Sequence, residues 1–474
     1  MDDNPKIAGQ DIAGRFAGNV AGNGLSTALA EPVSQRERIS SLDVLRGFAL
    51  LGILVMNVSD FALPENFDYN PTVAGPIGKL NLLLWAARFI LFEGKMRALF
   101  SMLFGAGVIL LTSRLEKRGD AAISGDIFLR RNMWLTLIGV MHAYFLWWGD
   151  ILYFYGMTAL LFLYPCRKLK AKTLLIAGMA VVLAVVAYRG VRLEQRSHLA
   201  QRAAAAAVIK ANGKSLTEEQ KVDLKAWQTV VENSHPDRQT VNREIAEMRG
   251  GYASVFKRNA PIVLSEQGEG FYRLGFCDSL GMMLLGMGLL QLGFLSGQLS
   301  NRAYVWTAII GYAIGLPLGV LSTWQAWRHN FDSLAVGQWE FLPYDLQRIA
   351  VSLASASVIV LIVKAGALKW LTKPLAAVGQ TALSNYLGTT VICVLLFDGY
   401  GLGLFGKLRF YQLFFVVGAI WIFNLVASTV WLKYFQFGPL EWIWRSATYW
   451  KRQPMLGRDA QVGAAGVAGV GAGV

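Results

Sequence analysis

Cysteine, histidine and charge are all scarce in this chain. It has four histidines and three cysteines, Cys166, Cys277 and Cys393, among 474 residues. The cysteine spacing fits neither a metal clip nor a disulfide framework, so we expect three small core residues, no metal and no bound cofactor. Charged residues make up 16% of the sequence, against about 25% in an ordinary soluble domain.

Several functional motifs are missing as well. There is no nucleotide-binding loop, which argues against primary active transport, and no stacking module or continuous basic stripe. The net charge is +14, but Lys and Arg sit in short loops between apolar runs, so we expect no nucleic-acid partner. The chain is 54% hydrophobic with a mean hydropathy of +0.40. That excess of apolar residues indicates an integral membrane protein surrounded by membrane lipids.

Apolar segments recur along the chain at lengths that approach or exceed the roughly 20 residues needed to cross about 30 Å of hydrocarbon. They are residues 42–61, 96–113, 132–148, 150–166, 173–189, 273–295, 303–322, 345–363, 376–397 and 410–432. The predicted fold is therefore all-α, a polytopic transmembrane helix bundle of about ten spans. Residues 81–92 are too short to span and predict an interfacial or re-entrant helix.

The loops that carry Lys and Arg set the orientation. With residues 81–92 not crossing, the basic residues of loop 114–131 and every later basic cluster fall on the cytoplasmic side. Both termini are then cytoplasmic. An eleventh span would put five basic residues of loop 114–131 outside, which is why we reject it.

The same pattern divides the chain into five regions. The predicted regions are a flexible tail (1–37), an N-terminal transmembrane half (38–189), a small helical extracytoplasmic insertion (190–270), a C-terminal transmembrane half (271–454) and a disordered Gly/Ala/Val tail (455–474). Within the insertion, Thr217 and Gln220 have the spacing of a capping box at a helix start.

Several motifs resemble those of a known family. They include the segment from Ser41 to Gly52, the segment from Glu93 to Gly105, Gly139-Val-Met-His142, the segment from Gly379 to Tyr386, and the segment from Phe437 to Arg445. The chain resembles the YeiB-like family of bacterial membrane proteins over most of residues 38–454. That resemblance implies a multi-pass protein of the bacterial inner membrane.

The first half of that family is similar to the transmembrane acyltransferases, which include the lysosomal enzyme that acetylates terminal glucosamine of heparan sulfate. The resemblance implies transfer of an acyl group from cytoplasmic acyl-CoA to an envelope glycan or lipid acceptor. Asn57 stands where many O-acyltransferases of the group carry a histidine. The heparan-acetylating branch also has Asn there and supplies a histidine shortly afterwards, whereas residues 58–80 contain none.

Asp43 and Arg46 lie three residues apart, on one face of the first helix near its cytoplasmic end. Because an arginine in hydrocarbon must be paired, snorkel or line a polar cavity, three interpretations stay open. The pair anchors the helix at the interface, or Arg46 binds the phosphates of acyl-CoA, as the resemblance implies, or Arg46 only contributes to the positive charge of the cytoplasmic side.

Glu93, Lys95 and Arg97 place three charges within five residues where the short outer helix turns into the second span. They form either a solvated interfacial turn or a binding site for a head group or acceptor. Gly94 allows a sharp turn between them.

His142 is the intramembrane histidine, predicted to lie about 9 Å below the outer end of its span. Asp150 follows eight residues later, beyond Trp147 and Trp148, which fit an interfacial aromatic belt. If the helix continued, His142 and Asp150 would share a face. The pair is then a general base with its carboxylate or a proton relay, and the alternative is a neutral histidine that forms a hydrogen bond to a neighbouring helix.

Two further groups of residues have ordinary interpretations. Thr381, Ser384, Asn385 and Tyr386 predict interhelical hydrogen bonds, or alternatively the lining of a substrate path. The aromatic segment around Glu441 and Arg445 predicts a helix that only anchors the chain to the inner leaflet.

Three functions remain open from the sequence. The first is a membrane-embedded acyltransferase. The second is a transporter or exporter of a small molecule or lipid that uses His142, Asp60 and Asp150 for coupling or passage. The third is a non-catalytic membrane component. The sequence leaves open the acyl group, the acceptor and the oligomeric state.

Overall fold

Helices form nearly all of the regular structure in this computed structural model, which describes residues 40–117 and 121–456. In chain order they are α1 (Ser40–Ala62), α2 (Lys79–Leu91), α3 (Lys95–Lys117), α4 (Ala121–Phe145), α5 (Leu152–Cys166), α6 (Ala171–Ala211), α7 (Glu218–Ser234), α8 (Arg238–Met248), α9 (Tyr252–Gln291), α10 (Asn301–Arg328), α11 (Tyr344–Lys364), α12 (Lys369–Gln380), α13 (Ala382–Phe397), α14 (Phe410–Tyr434) and α15 (Pro439–Tyr449). A helical turn at Ser333–Val336 continues as a π-helix over Gly337–Phe341.

Most of these helices are suited to lipid. Within the described residues, seven are long and apolar enough to cross a membrane, and α12 with α13 makes an eighth if the bent pair counts as one span. The other two predicted spans correspond to α4, which has 25 residues, and to the shorter apolar α5. The prediction of an all-α polytopic bundle is confirmed.

The short helix α2 stays at one end of the bundle, which we call the outer end after the predicted topology. Arg88 near its C-terminus donates a 2.7 Å hydrogen bond to the carbonyl of Met56, close to the end of α1. Asn81 near its N-terminus accepts from the backbone N–H of Tyr411, at the start of α14. Both ends of α2 therefore contact the same end of the bundle, as expected of a segment that does not cross by itself.

The ninth predicted span is broken. α12 and α13 meet at Thr381 with a bend of 87°, where sequence analysis gave one helix over residues 376–397. α12 crosses α1 closely through two glycines. A Cβ on Gly47 would lie 2.0 Å from the carbonyl oxygen of Leu375, and one on Gly379 would lie 1.9 Å from that of Asp43. The glycine beside Arg46 is thus required by packing.

The insertion predicted at 190–270 begins inside a helix, because α6 continues without a break to Ala211. The Thr217 and Gln220 capping box is present at the start of α7. Beyond α8, Arg249 donates a 2.7 Å hydrogen bond to the carbonyl of Phe405 in the loop after α13. The predicted tail 1–37, and all but residues 455–456 of the tail 455–474, lie outside the described residues.

The sidedness of the bundle is testable with reporter fusions. We expect fusions in loop 114–131 and in the C-terminal tail to report the cytoplasm, and fusions within 190–270 to report the outside, because that arrangement keeps the basic loops inside. A reporter in loop 114–131 that reads as outside would mean that residues 81–92 cross, and the assignment of every later loop would invert.

Candidate functional site

A cavity of about 270 Å³ opens at the inner end of the bundle. α1, α3, α4, α5, the α12–α13 break and α15 all contribute to its wall. The charged residues of its wall are Asp43, Arg46, Arg114, Arg131, Glu441 and Arg445. Four arginines against two acids make this end of the cavity basic. Its deeper part is apolar and aromatic, with Phe100, Leu103, Phe104, Leu135, Ile151 and Tyr155 among the lining residues.

Arg46 stands at the junction of α1 with the helix break. Its Nη1 lies 2.9 Å from Asp43 Oδ1 and donates a 3.2 Å hydrogen bond to the carbonyl of Gly379. The side chain keeps 28% of its surface exposed. The ion pair of the anchoring interpretation is therefore present, and the same guanidinium also lines the cavity.

The prediction that the helix of Glu441 only anchors the chain is wrong, because Glu441 also contacts α13. Its carboxylate is buried and accepts hydrogen bonds from the backbone N–H groups of Leu383 and Ser384, at 2.6 and 3.1 Å, and from the Ser384 hydroxyl. It thus caps the N-terminus of α13, which the helix break leaves without partners. Burial raises the pKa of this carboxyl. With Arg445, the helix also closes one wall of the inner cavity.

A second, smaller cavity of about 20 Å³ lies deeper in the bundle. Asn57, Thr390 and Asn424 are among its lining residues. Tyr386 lines both cavities and separates them. Asn57 is therefore not part of the inner cavity.

His142 and Asp150 are in direct contact. Asp150 Oδ1 lies 2.8 Å from His142 Nδ1, and each side chain is 1% exposed. The second carboxylate oxygen accepts a 2.7 Å hydrogen bond from the backbone N–H of Tyr153. On the other side of the ring, Nε2 lies 3.0 Å from the hydroxyl of Thr390. A hydroxyl, an imidazole and a carboxylate are thus aligned in a buried chain.

Separate helices were predicted over residues 132–148 and 150–166, and the contact forms across the turn between them and not along one continuing helix. α4 ends at Phe145, so His142 lies one turn from its end, and the chain turns back to bring Asp150 in at the start of α5. A Cβ on Gly139 would lie 2.8 Å from Asp150 Oδ2, so the glycine of the Gly-Val-Met-His motif makes room for the carboxylate. Trp147 is buried and stacks on Phe61 at 4.0 Å, which corrects its assignment to an interfacial belt.

His142 does not line either of these cavities. Its ring packs against Tyr386, with centroids 5.2 Å apart, and the Thr390 hydroxyl stands between Nε2 and the small cavity. Thr390 lines the same cavity as Asn57, so its contact with Nε2 connects His142 to that cavity. Asn57 marks the position where the resemblance led us to expect a histidine.

Glu93, Lys95 and Arg97 belong to a largely buried cluster of charged residues at the outer end of the bundle. Among the described residues they form neither the solvated turn nor the open binding site that the sequence allowed. Lys95 is fully buried and its Nζ donates to the carbonyl of Phe89 at 2.7 Å. Glu93 Oε2 lies 3.3 Å from Arg88. Arg97 donates a hydrogen bond to the Tyr344 hydroxyl.

Other acids join this cluster. Asp68 pairs with Arg88 at 2.8 Å, and Asp60 lies near both. Both carboxyl oxygens of Glu340 are buried without a hydrogen-bond partner among the described residues. Burial, reinforced by the negative charge of Glu93, raises the pKa of Glu340 well above its ordinary value. The cluster therefore includes a carboxyl group that favours its neutral form.

Two arginines and two aspartates link α6, α9 and α11. Arg348 Nη2 lies 2.6 Å from Asp278 and 2.5 Å from Asp345, and Arg189 lies 2.5 Å from Asp345. Arg348 and Asp345 are each 1% exposed. Only Asp345 and Arg348 are close to each other in the sequence. The sequence pattern therefore did not predict that the four residues form a group.

The third cavity lies at the outer end and has a volume of about 720 Å³. The loop of residues 63–78, the α7–α8 turn and residues 406–410 form its wall. Its basic lining residues are His235, Arg238, Lys407 and Arg409, and Asn70, Asn81 and Asn242 supply amides. Sequence analysis did not predict this cavity, because its wall comes from loops far apart in the chain.

The comparisons with known proteins found one family model and several relatives that are similar to this chain. The family model described as "Protein of unknown function (DUF418)" matches residues 289–451. "Uncharacterized protein YeiB" of Escherichia coli (strain K12) is 29% identical over 440 residues, which cover 90% of this chain and 100% of that protein. "Uncharacterized protein YxaH" of Bacillus subtilis (strain 168) is 29% identical over 443 residues, covering 90% of this chain and 98% of the relative. No solved structure matches the chain.

Proposed function

This chain is a member of the YeiB-like family of membrane proteins, and from that premise we propose that it transfers an acyl group across the bundle. The donor is acyl-CoA, bound from the cytoplasm in the inner cavity. The acceptor is an envelope glycan or lipid head group bound at the outer end. The membrane is the bacterial inner membrane, where cytoplasmic acyl-CoA and an envelope acceptor meet on opposite faces.

The inner cavity carries this proposal. Its basic end and apolar interior match a ligand that has several negative charges at one end and a fatty or short acyl group at the other. Arginine suits phosphate because the guanidinium fork forms two parallel hydrogen bonds. Arg46 and Arg131 stand on opposite helices at this end, so phosphates between them would neutralise charge from both sides.

The three cavities follow one another along α1. Asp43 and Arg46 line the inner cavity, Asn57 lines the small one, and Leu63 lines the outer one. Arg46 and Asn57 are eleven residues apart, or about 16 Å along a helix. The proposed path from donor to acceptor runs beside α1 and passes Tyr386, which lines both the inner and the small cavity.

The outer cavity is suited to the acceptor. Its arginine, lysine and asparagine side chains can bind the hydroxyl groups and negative charges of a glycan or head group. His142 is the group that would accept the proton of an attacking hydroxyl or amine, with Asp150 fixing its tautomer.

A second candidate, ion- or proton-coupled transport of a small molecule, is favoured by the buried charges at the outer end. Asp60, Arg88, Glu93 and Glu340 lie together there, and buried ionisable groups in membrane proteins are typical of coupling sites. None of these four residues lines the inner cavity, so coupled transport does not explain the arginines there. Acyl transfer does explain them, and we therefore prefer it.

Arg46→Ala tests the donor site. Loss of a charge-assisted hydrogen bond to phosphate should weaken acyl-CoA binding by about 10- to 100-fold, since such bonds contribute roughly 1.5–3 kcal/mol. Arg46→Lys should restore part of the affinity, because an ammonium group keeps the charge and loses the fork. Isothermal titration of purified protein with acyl-CoA measures both.

Arg130→Ala is the matched control. Arg130 lies at the same end of the bundle, pairs with Asp126 outside the cavity and should bind acyl-CoA as the wild type does. Equal affinity in Arg46→Ala and wild type would leave Arg46 as an anchor only. Failure of the wild type to bind any acyl-CoA would remove the proposed function itself.

A further inference from the structure

Thr390 places a hydroxyl on the basic side of His142. Its Oγ1 lies 3.0 Å from Nε2, while Nδ1 on the opposite side of the ring lies 2.8 Å from Asp150. All three residues are buried, with Thr390 and His142 each 2% exposed. This order of hydroxyl, imidazole and carboxylate is the one that activates hydroxyl nucleophiles for acyl transfer.

The hydrogen bonds favour one direction of proton transfer. With Asp150 Oδ1 as the acceptor of the Nδ1 proton, its other oxygen accepts the N–H of Tyr153. Nε2 is then the unprotonated nitrogen and can accept the one hydroxyl proton of Thr390, for which the carbonyl of Tyr386 at 3.3 Å is the other acceptor. Activation of Thr390 needs the hydroxyl hydrogen to turn from that carbonyl toward Nε2.

Thr390 also stands between the donor and acceptor cavities. Its side chain lines the small cavity beside Asn57, one helical turn beyond Tyr386, which closes off the inner cavity. The Tyr386 hydroxyl has a long hydrogen bond of 3.5 Å to the carbonyl of Gly149.

We propose that Thr390 is an acyl-carrying nucleophile, which takes the acyl group from acyl-CoA as an ester and passes it to the outer acceptor. This inference rests on the proposed function and deepens it. Donor and acceptor occupy cavities at opposite ends of the bundle, so a covalent carrier midway removes the need for the two substrates to meet.

Each half-reaction balances. In the first, the bond from Thr390 Oγ1 to the acyl carbon forms and the thioester C–S bond breaks. The hydroxyl proton passes to His142 Nε2 and then to the departing thiolate, which leaves as free CoA. In the second, the acceptor hydroxyl or amine attacks the ester, its proton passes through His142, and Thr390 regains its hydroxyl as the C–O bond breaks.

A purely structural role makes a different prediction. The Thr390 hydroxyl also lies 3.3 Å from the carbonyl of Tyr386, one turn earlier in the same helix, which is an ordinary bond for a threonine inside a helix. Such a role needs no covalent chemistry and would leave no acyl group on the protein.

The test is direct detection of the ester. Purified full-length protein is incubated separately with radiolabelled acetyl-CoA and palmitoyl-CoA, and free CoA, protein-bound label and modified peptides are measured. We expect a burst of about one CoA per chain with label on Thr390. Thr390→Val should abolish the burst and lower steady-state CoA release by at least about 100-fold. Thr390→Ser should keep both.

Thr323→Val is the matched control, because the Thr323 hydroxyl also bonds a carbonyl one turn earlier in its own helix and lies away from the three cavities. It should keep the burst. A Thr390→Val protein that binds acyl-CoA and keeps the full burst would overturn the role of Thr390 and leave the proposed function standing. A wild-type protein that binds neither acetyl-CoA nor palmitoyl-CoA would overturn both the role of Thr390 and the proposed function.

Discussion

His142→Gln protein should bind acyl-CoA as tightly as the wild type and turn it over about 10² to 10⁴ times more slowly. Glutamine keeps a hydrogen-bonding group near Asp150 and Thr390 but has no nitrogen that takes up a proton at neutral pH. General-base catalysis typically contributes a factor of that size. Release of free CoA from labelled acyl-CoA by purified protein measures the loss.

His198→Gln is the control for the same substitution. His198 lies on α6 with 59% of its side chain exposed and should tolerate the change without effect. Thermal unfolding of each variant separates loss of chemistry from loss of structure. Wild-type turnover in His142→Gln would make the histidine a packing residue, and the Thr390 ester would then lack its base.

The helices themselves could be predicted because lipid imposes a length and a composition on any span. The break at Thr381 could not, since residues 382–397 continue the same apolar run and a bend in such a run leaves its hydropathy unchanged. What permits it is Glu441, which caps the new helix end from a helix some sixty residues later. A long-range cap of this kind has no local signature.

The candidate site was only partly predictable for the same reason. His142 and Asp150 are close in sequence, and their spacing was enough to suggest a pair, although the contact forms across a turn and not along one continuing helix. Thr390 comes from a helix 248 residues away and completes the chain of hydrogen bonds. In a sequence rich in apolar residues, one threonine in a span predicts only a hydrogen bond to its own helix.

The buried charges are the clearest case of a feature that local patterns miss. Arg348 is paired with Asp345 in its own helix, at a spacing that also occurs on solvated helices. Its second partner, Asp278, comes from α9, and Arg189 joins from α6. The burial of Arg348 and Asp345, and the partial burial of Asp278 and Arg189, depend on how three helices pack, which no single segment specifies.

Arg348→Leu should destabilise the protein by about 3–5 kcal/mol, because it removes a charged partner from the buried Asp345 and the half-buried Asp278. Asp345 is 1% exposed and would keep only Arg189. Leucine fills much of the volume, so the loss reports the charge more than a cavity. Thermal or denaturant unfolding of detergent-solubilised protein measures it, and Arg348→Lys should recover part of the stability by restoring the charge.

The exposed Arg202 and Asp223 pair provides the matched control. Its two nitrogen–oxygen contacts, at 2.8 and 3.1 Å, are within hydrogen-bonding distance although longer than those of Arg348, and 55% of the Arg202 side chain is exposed. Solvent screens this pair, so the Arg202→Leu protein should unfold at the same temperature or denaturant concentration as the wild type. An equal effect of the two substitutions would mean that burial does not strengthen the dependence on Arg348.

An Arg348→Leu protein as stable as the wild type would mean that the two aspartates take up protons or water instead. The ion pairs would then not be what holds α6, α9 and α11 together.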